Sequence, residues 1–184
     1  LVSSLASFSE YQRERAWTGE HQALVRARAV AVDATLIAAF DRLREEVLAR
    51  PRDAKALVDD VSSMRRRMRA ELDRSDPAVF DLKQGEAGLV DLEFLLQFLV
   101  MRDAATHAPL LQPRATPSLL DTVHAAGAID ASAHAALLAA HADLLDAEMR
   151  CTLDRRPRRV PPDARIEAAR TAIREAVQAQ GLRF

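Results

Sequence analysis

Residues 89–101 read Leu-Val-Asp-Leu-Glu-Phe-Leu-Leu-Gln-Phe-Leu-Val-Met, with apolar side chains on nearly every side of a helical wheel. A helix that is apolar around most of its circumference has to be enclosed by other elements. The stretch is shorter than the roughly 20 apolar residues of a membrane span, and Asp91, Glu93 and Gln97 interrupt it. The rest of the chain must supply its cover.

That cover also reads as helix. The spacing predicts a first helix over 18–32, with Leu24, Ala27 and Ala31 on one face. Asp33 suits an N-cap, followed by Leu36, Ile37, Phe40, Leu43 and Val47 at three- and four-residue steps until Pro51. Asp53 suits the cap of a third helix reaching about residue 72, with Leu57, Val61, Met64 and Met68 as its stripe. Segment 73–88, with Pro77, Gly85 and Gly88, breaks the pattern before the apolar helix over 89–106.

Pro109, Pro113 and Pro117 mark a connection into a short helix ending before Gly127. Asp130 opens a helix to about 153 in which Leu137, Leu138, Leu144, Leu145 and Met149 are expected to be buried. A basic loop over 155–162 leads to a last helix, capped by Asp163 and closed by Gly181. Strand signals are nearly absent, although residues 1–4 read as the tail of a strand. The expected fold is all-α, a bundle of about six to seven helices with a long central apolar helix. Residues 1–17 read as a remnant or linker from an upstream domain, and 18–184 as the helical domain. The chain opens on Leu1 and reads as a piece of a longer protein.

Charge narrows the function classes. Lys plus Arg number 26 and Asp plus Glu 27, so the formal net charge is −1. No global attraction to nucleic acid or anionic lipid follows. Cys151 is the single cysteine, which excludes an intramolecular disulfide and fits a reducing, cytoplasmic setting.

The loop-to-helix junction carries the densest chemistry. Asp91 and Glu93 fall on the first turn of the apolar helix, where the helix dipole stabilises acids. On a functional reading Lys83, Asp91 and Glu93 instead face a cleft and bind a charged ligand or a neighbouring domain. Backbone N–H groups near Gly85 and Gly88 are also candidates for holding an anion. The residues alone leave these readings open. The spacing matches neither a Walker loop nor Gly-x-Gly-x-x-Gly.

Arg65, Arg66, Arg67 and Arg69 read as a solvated face, partly neutralised by Asp59, Asp60 and Glu71, or as a surface for an anionic protein partner. His134 and His141 are seven apart, where paired helical metal ligation favours four. Cys151 lacks a histidine partner in a recognisable motif, and no Gly-x-Ser-x-Gly elbow occurs. No self-contained catalytic centre and no metal site can be read from these residues.

Two motifs resemble a known family. The first comprises residues 1–4, Phe8, Tyr11-Gln12, Ala16-Trp17, residues 20–24 and 26–28; the second comprises residues 80–83, 88–94 and Gln97. Together they resemble the helical domain that follows the nucleotidyltransferase sheet in the bacterial glutamine synthetase adenylyltransferase/deadenylylase family, and specifically its second, C-terminal copy. The resemblance implies a parent enzyme that transfers AMP from ATP to a tyrosine of glutamine synthetase using Mg²⁺. It also implies control by glutamine and the PII signal protein. The related helical domain of the PII uridylyltransferase is a rival assignment.

On this resemblance Arg26 and Arg28 lie next to the upstream nucleotidyltransferase domain and approach the nucleotide. Lys83, Asp91 and Glu93 hold the two domains in register. The basic residues Arg65, Arg66, Arg67 and Arg69 are where a regulatory module would meet PII. The transferase carboxylates lie upstream, so the fragment alone is expected to be inactive and to bind no Mg²⁺ or ATP. The family's glycine pair reads Ala87-Gly88 here, and alanine resists positive φ, which puts a two-glycine turn in doubt.

Overall fold

The computed structural model describes residues 3–30 and 33–184. Its described residues form eight α-helices: α1 (Leu5–Glu14), α2 (Thr18–Arg26), α3 (Ala34–Leu48), α4 (Ala54–Leu72), α5 (Leu89–Asp103), α6 (Thr116–Ala125), α7 (Ala131–Leu153) and α8 (Ala164–Ala179). A single 3₁₀ turn spans Ala108–Leu111. The fold is all-α apart from two two-residue strands, β1 (Phe80–Asp81) and β2 (Arg159–Val160).

The capping chemistry operates where the sequence placed it. Asp33, Asp53, Asp130 and Asp163 each accept backbone N–H groups of their own first turn. Gly127 and Gly181 take positive φ and close α6 and α8. The following residues, Ala128 and Leu182, donate back to Val123 and Val177, which satisfies the last carbonyls.

α5 is buried on almost every side, with only Glu93, Gln97, Arg102 and Asp103 partly open. It packs against α2, α4, α6, α7 and α8. Its length is not what distinguishes it: at 15 residues it is shorter than α4 at 19 and α7 at 23.

Four expectations need correction. Residues 5–14 are helix, packed on α3, and bring the count to eight. Tyr11 ties α1 to α2, since its hydroxyl donates to Glu20 at 2.6 Å while Glu20 also accepts the Trp17 N–H. The expected strand tail reduces to Ser4 capping α1; its first two residues, Leu1 and Val2, lie outside the described residues. α2 stops at Arg26, and Ala31 and Val32, expected to continue it, also lie outside them. Leu145 and Met149 are exposed, because α8 and α6 cover only the other faces of α7.

Buried and half-buried arginines, which periodicity did not single out, hold the helix ends. Arg44 is enclosed and donates to the carbonyls of Leu24, Val25 and Leu111 at 2.5–2.7 Å. Burial, and secondarily the nearby Arg114, lowers its pKa to about 10, still cationic at neutral pH. Arg52 donates to Val47, Leu48, Arg50 and Met101, joining the end of α3 to that of α5. Arg114 donates to the Ala27 carbonyl and to Asp41.

Replacing Arg44 with Met would strand the Val25 and Leu111 carbonyls, while Leu24 keeps the Ala27 N–H. Each buried unsatisfied acceptor costs about 1–3 kcal/mol. Arg44→Met is therefore expected to lower the unfolding free energy by roughly 3–5 kcal/mol, read from urea denaturation midpoints; a loss under about 1 kcal/mol would contradict this role.

Candidate functional site

The junction between β1 and α5 is built by its own hydrogen bonds. The Asp81 carboxylate accepts from Lys83 N–H and Gln84 N–H, and Gly85 N–H returns to the Asp81 carbonyl. A Cβ at Gly85 would lie 2.6 Å from the Asp81 carbonyl oxygen and against the Phe80 ring, so only glycine fits. Leu89 and Val90 N–H groups donate back to Leu82 and Lys83. The N–H groups of Gly85 and Gly88 are likewise consumed within the loop. The expected anion cradle on this backbone is therefore not formed.

Ala87 resolves the doubt over the turn. It adopts φ 62°, so the turn is made with alanine in the left-handed region. Its N–H donates to Asp91 at 2.7 Å. Ala87→Gly relieves the strain but loses a buried methyl and loosens the unfolded chain, so it is expected to change stability by less than about 1 kcal/mol. Ala87→Val, β-branched at positive φ, is expected to cost more than about 2 kcal/mol by the same measurement.

Asp91 is buried, and so is Arg65, which donates to it at 2.5 Å. Arg69 approaches the other carboxylate oxygen. Arg65 also donates to the Gln84 carbonyl at 2.8 Å. Two members of the expected basic face thus point inward: Arg65 has no exposed side chain, and Arg69 is mostly covered. They lie on the core-facing side of α4, beside Val61 and Ser62, and a helix period brings them under α5. Arg66 and Arg67 are exposed and have no ion-pair partner among the described residues. The acids expected to neutralise the cluster are engaged elsewhere: Asp59 pairs with Lys55, and Asp60 accepts from Thr18.

Glu93 faces away from Asp91, as two residues along a helix require. It pairs with Arg26 at the surface, with both side chains more than a third exposed. Below them Gln22 donates to Gln97 at 3.1 Å, so α2 and α5 share an antiparallel two-rung ladder. His141 of α7 stands beside the pair: burial lowers its pKa, Glu93 opposes that shift and Arg26 adds to it.

Arg28 is separate, on the rim of an open groove of about 330 Å³ with Phe8, Leu36 and Phe40. Lys83 is exposed with no acidic partner among the described residues. The five candidates therefore divide into a buried Asp91, a surface Arg26–Glu93 pair, and two isolated cations.

Histidines elsewhere form no donor set. His134 reaches Asp121 at 2.8 Å and stacks on His124. Cys151 is buried. Among the described residues no three carboxylate, imidazole or thiol groups converge. Of the buried acids of the junction, Asp91 is already held by two guanidinium groups and Asp81 by the Lys83 and Gln84 N–H groups, so these residues do not fit Mg²⁺. No described helix is long and apolar enough to cross a membrane.

The arginines that sequence reasoning passed over left a signal. Arg44 sits three before Val47 and four before Leu48, inside the apolar stripe, where a charge needs buried acceptors.

Two outcomes separate the buried from the exposed acid. Asp91→Asn removes the charge facing Arg65 and Arg69 and is expected to destabilise by about 3–5 kcal/mol, whereas Glu93→Gln costs less than about 1 kcal/mol, both by urea unfolding. Burial also lowers the pKa of His21, whose Nε2 contacts the Gln12 carbonyl while Arg52 approaches Nδ1. A histidine depressed below its ordinary 6.5 takes up its proton more readily unfolded. Stability is thus expected to be flat above pH 6.5 and to fall as the pH drops from 6.5 toward the folded values, with a shallower fall in His141→Gln.

A family model described as glutamate-ammonia ligase adenylyltransferase matches residues 1–43. Over all 184 residues the chain is 59% identical to the bifunctional glutamine synthetase adenylyltransferase/adenylyl-removing enzyme of Stenotrophomonas maltophilia (strain K279a), and covers 20% of that protein. It is 55% identical over the same length to the enzyme of that name from Xanthomonas axonopodis pv. citri, again covering 20%. The corresponding protein of Psychromonas ingrahamii is 38% identical over 95% of the chain and 18% of its own length. The chain thus spans about a fifth of the curated relatives it matches. It is the counterpart, over its whole length, of one segment of the glutamine synthetase adenylyltransferase family.

Proposed function

We propose that this chain is the C-terminal helical domain of a bifunctional enzyme that attaches AMP to a tyrosine of glutamine synthetase and removes it, and so regulates nitrogen assimilation. The observation that carries this is the 59% identity over all 184 residues to a relative so named. Those names favour the adenylyltransferase over the PII uridylyltransferase reading. The parent enzyme would work in the cytoplasm and draw on ATP and Mg²⁺, with the metal-binding carboxylates supplied by the upstream nucleotidyltransferase domain. The role assigned to the bundle is to complete or regulate that domain, and alone it is expected not to label glutamine synthetase.

Positioning and charge neutralisation dominate two-metal nucleotidyl transfer. Exposed cations without an acidic partner are available for that work, and Arg28 is one. Arg26 becomes available only by leaving Glu93. In the intact enzyme Arg28→Ala is expected to lower AMP transfer by roughly tenfold or more, as for loss of one phosphate-directed charge. Unchanged turnover and ATP affinity would remove Arg28 from the site.

A regulatory reading rests on a different observation: Arg66 and Arg67 are exposed and unpaired among the described residues. Here the bundle binds PII or senses glutamine and transmits that state to the catalytic half. Calorimetry of the chain against PII, glutamine and ATP separates the roles. PII binding lost in an Arg66→Gln/Arg67→Gln variant supports the module, and no binding of any of the three leaves the completing role.

A further inference from the structure

The inward turn of Arg69 opens onto a cavity of about 250 Å³ between α4, the β1–α5 loop and the end of α8. Three arginines line it, Arg69, Arg174 and Arg183, together with Glu86 and Asp91. The acids are already committed. Asp91 serves Arg65 as well as Arg69, and Glu86 accepts from Arg174 at 3.3 Å. Arg183 has no acidic partner among the described residues. Counting Arg65 behind Asp91, four cations share these two side-chain carboxylates.

One donor is unused. The Arg69 Nε is buried and has no hydrogen-bond partner among the described residues. A buried charged N–H without an acceptor is costly and usually marks a missing partner. Residues 182–184 pack along the cavity. Leu182 is buried, Arg183 N–H donates to Ser62 at 3.1 Å, and the Phe184 ring meets the edge of Phe94. Guanidinium forks match planar or tetrahedral oxyanions, and three arginines line this one concave space.

We propose that this cavity binds a small molecule through an oxyanion, a phosphate or a carboxylate, that completes the Arg69–Arg174–Arg183 cluster. The site is independent of the functional reading above, since Arg174 and Arg183 play no part in it.

Isothermal titration of the full 184-residue chain with inorganic phosphate, and separately with malonate, at fixed ionic strength tests this. Saturable one-to-one binding of at least one probe is expected, and the two arms distinguish the phosphate from the carboxylate. Arg174→Gln/Arg183→Gln is expected to weaken it by roughly tenfold or more. Arg66→Gln/Arg67→Gln, an equal charge change outside the cavity, leaves it unchanged. Arg183→Gln alone, at an exposed position, is expected to weaken binding several-fold and serves if the double variant does not fold. Absence of saturable binding of both probes overturns the proposal, as does equal weakening by the Arg66/Arg67 control or no weakening by Arg183→Gln.

Discussion

A carboxylate removed from water has to be matched in charge and in hydrogen bonds, and Asp91 imposes that demand at the centre of the fold. Arg65 and Arg69 supply the charge, and the Ala87 N–H supplies a third donor. Asp91 and these partners come from three separate stretches of chain, so meeting the demand fixes α4, the junction loop and α5 relative to one another. The positive φ of Ala87 follows, because the loop must turn its N–H back onto a residue four positions ahead. Such an arrangement adds little net stability compared with an apolar core, yet it is costly to break. Its value in this chain is register: no other rotation of α4 about its axis places both arginines on one carboxylate.

The same economy appears at the helix ends. Every helix leaves its last carbonyls without intrahelical donors. This chain has five glycines, and only two of them close helices at positive φ. At α2 and α3 arginines do that work instead: Arg44 and Arg114 take the carbonyls around Leu24–Ala27, and Arg52 takes Val47 and Leu48. Because each guanidinium also reaches a distant element, capping and tertiary packing become one interaction. Short helices can then meet at their ends without burying unsatisfied backbone.

Most of the helical plan was legible in the sequence because aspartate caps, terminal glycines and three-to-four periodicity act locally. What was illegible depends on partners far along the chain. The β1–β2 pair is two residues long and has no period to read; Phe80 faces Val160 across eighty positions. α1 lacked a strong apolar stripe, its cover coming from α3. The arginine run at 65–69 read as surface because its compensating acid belongs to a different helix. Among the candidate residues, the sequence placed Asp91 and Glu93 on one helical turn correctly. It could not show that the first faces the core and the second the solvent, which is what separates a structural carboxylate from one free to meet a partner.

That distinction bears on how a segment amounting to a fifth of its relatives would join the remainder. An interface formed and released during regulation has to draw on groups whose present partners are cheaply exchanged. Asp91 and Arg65 do not qualify, since separating them leaves a buried charge. Arg26 and Glu93 do: an exposed pair contributes about 0–1 kcal/mol, and either member can take a new partner at little cost. Gln22 and Gln97 beneath them keep α2 and α5 in register whether or not the pair is made. His141 would report such an exchange, because removing Arg26 from its side, or Glu93, shifts its pKa in opposite senses. The upper rung of the α2–α5 ladder is therefore the position on this bundle where a change of partner reaches the core helix without first breaking it.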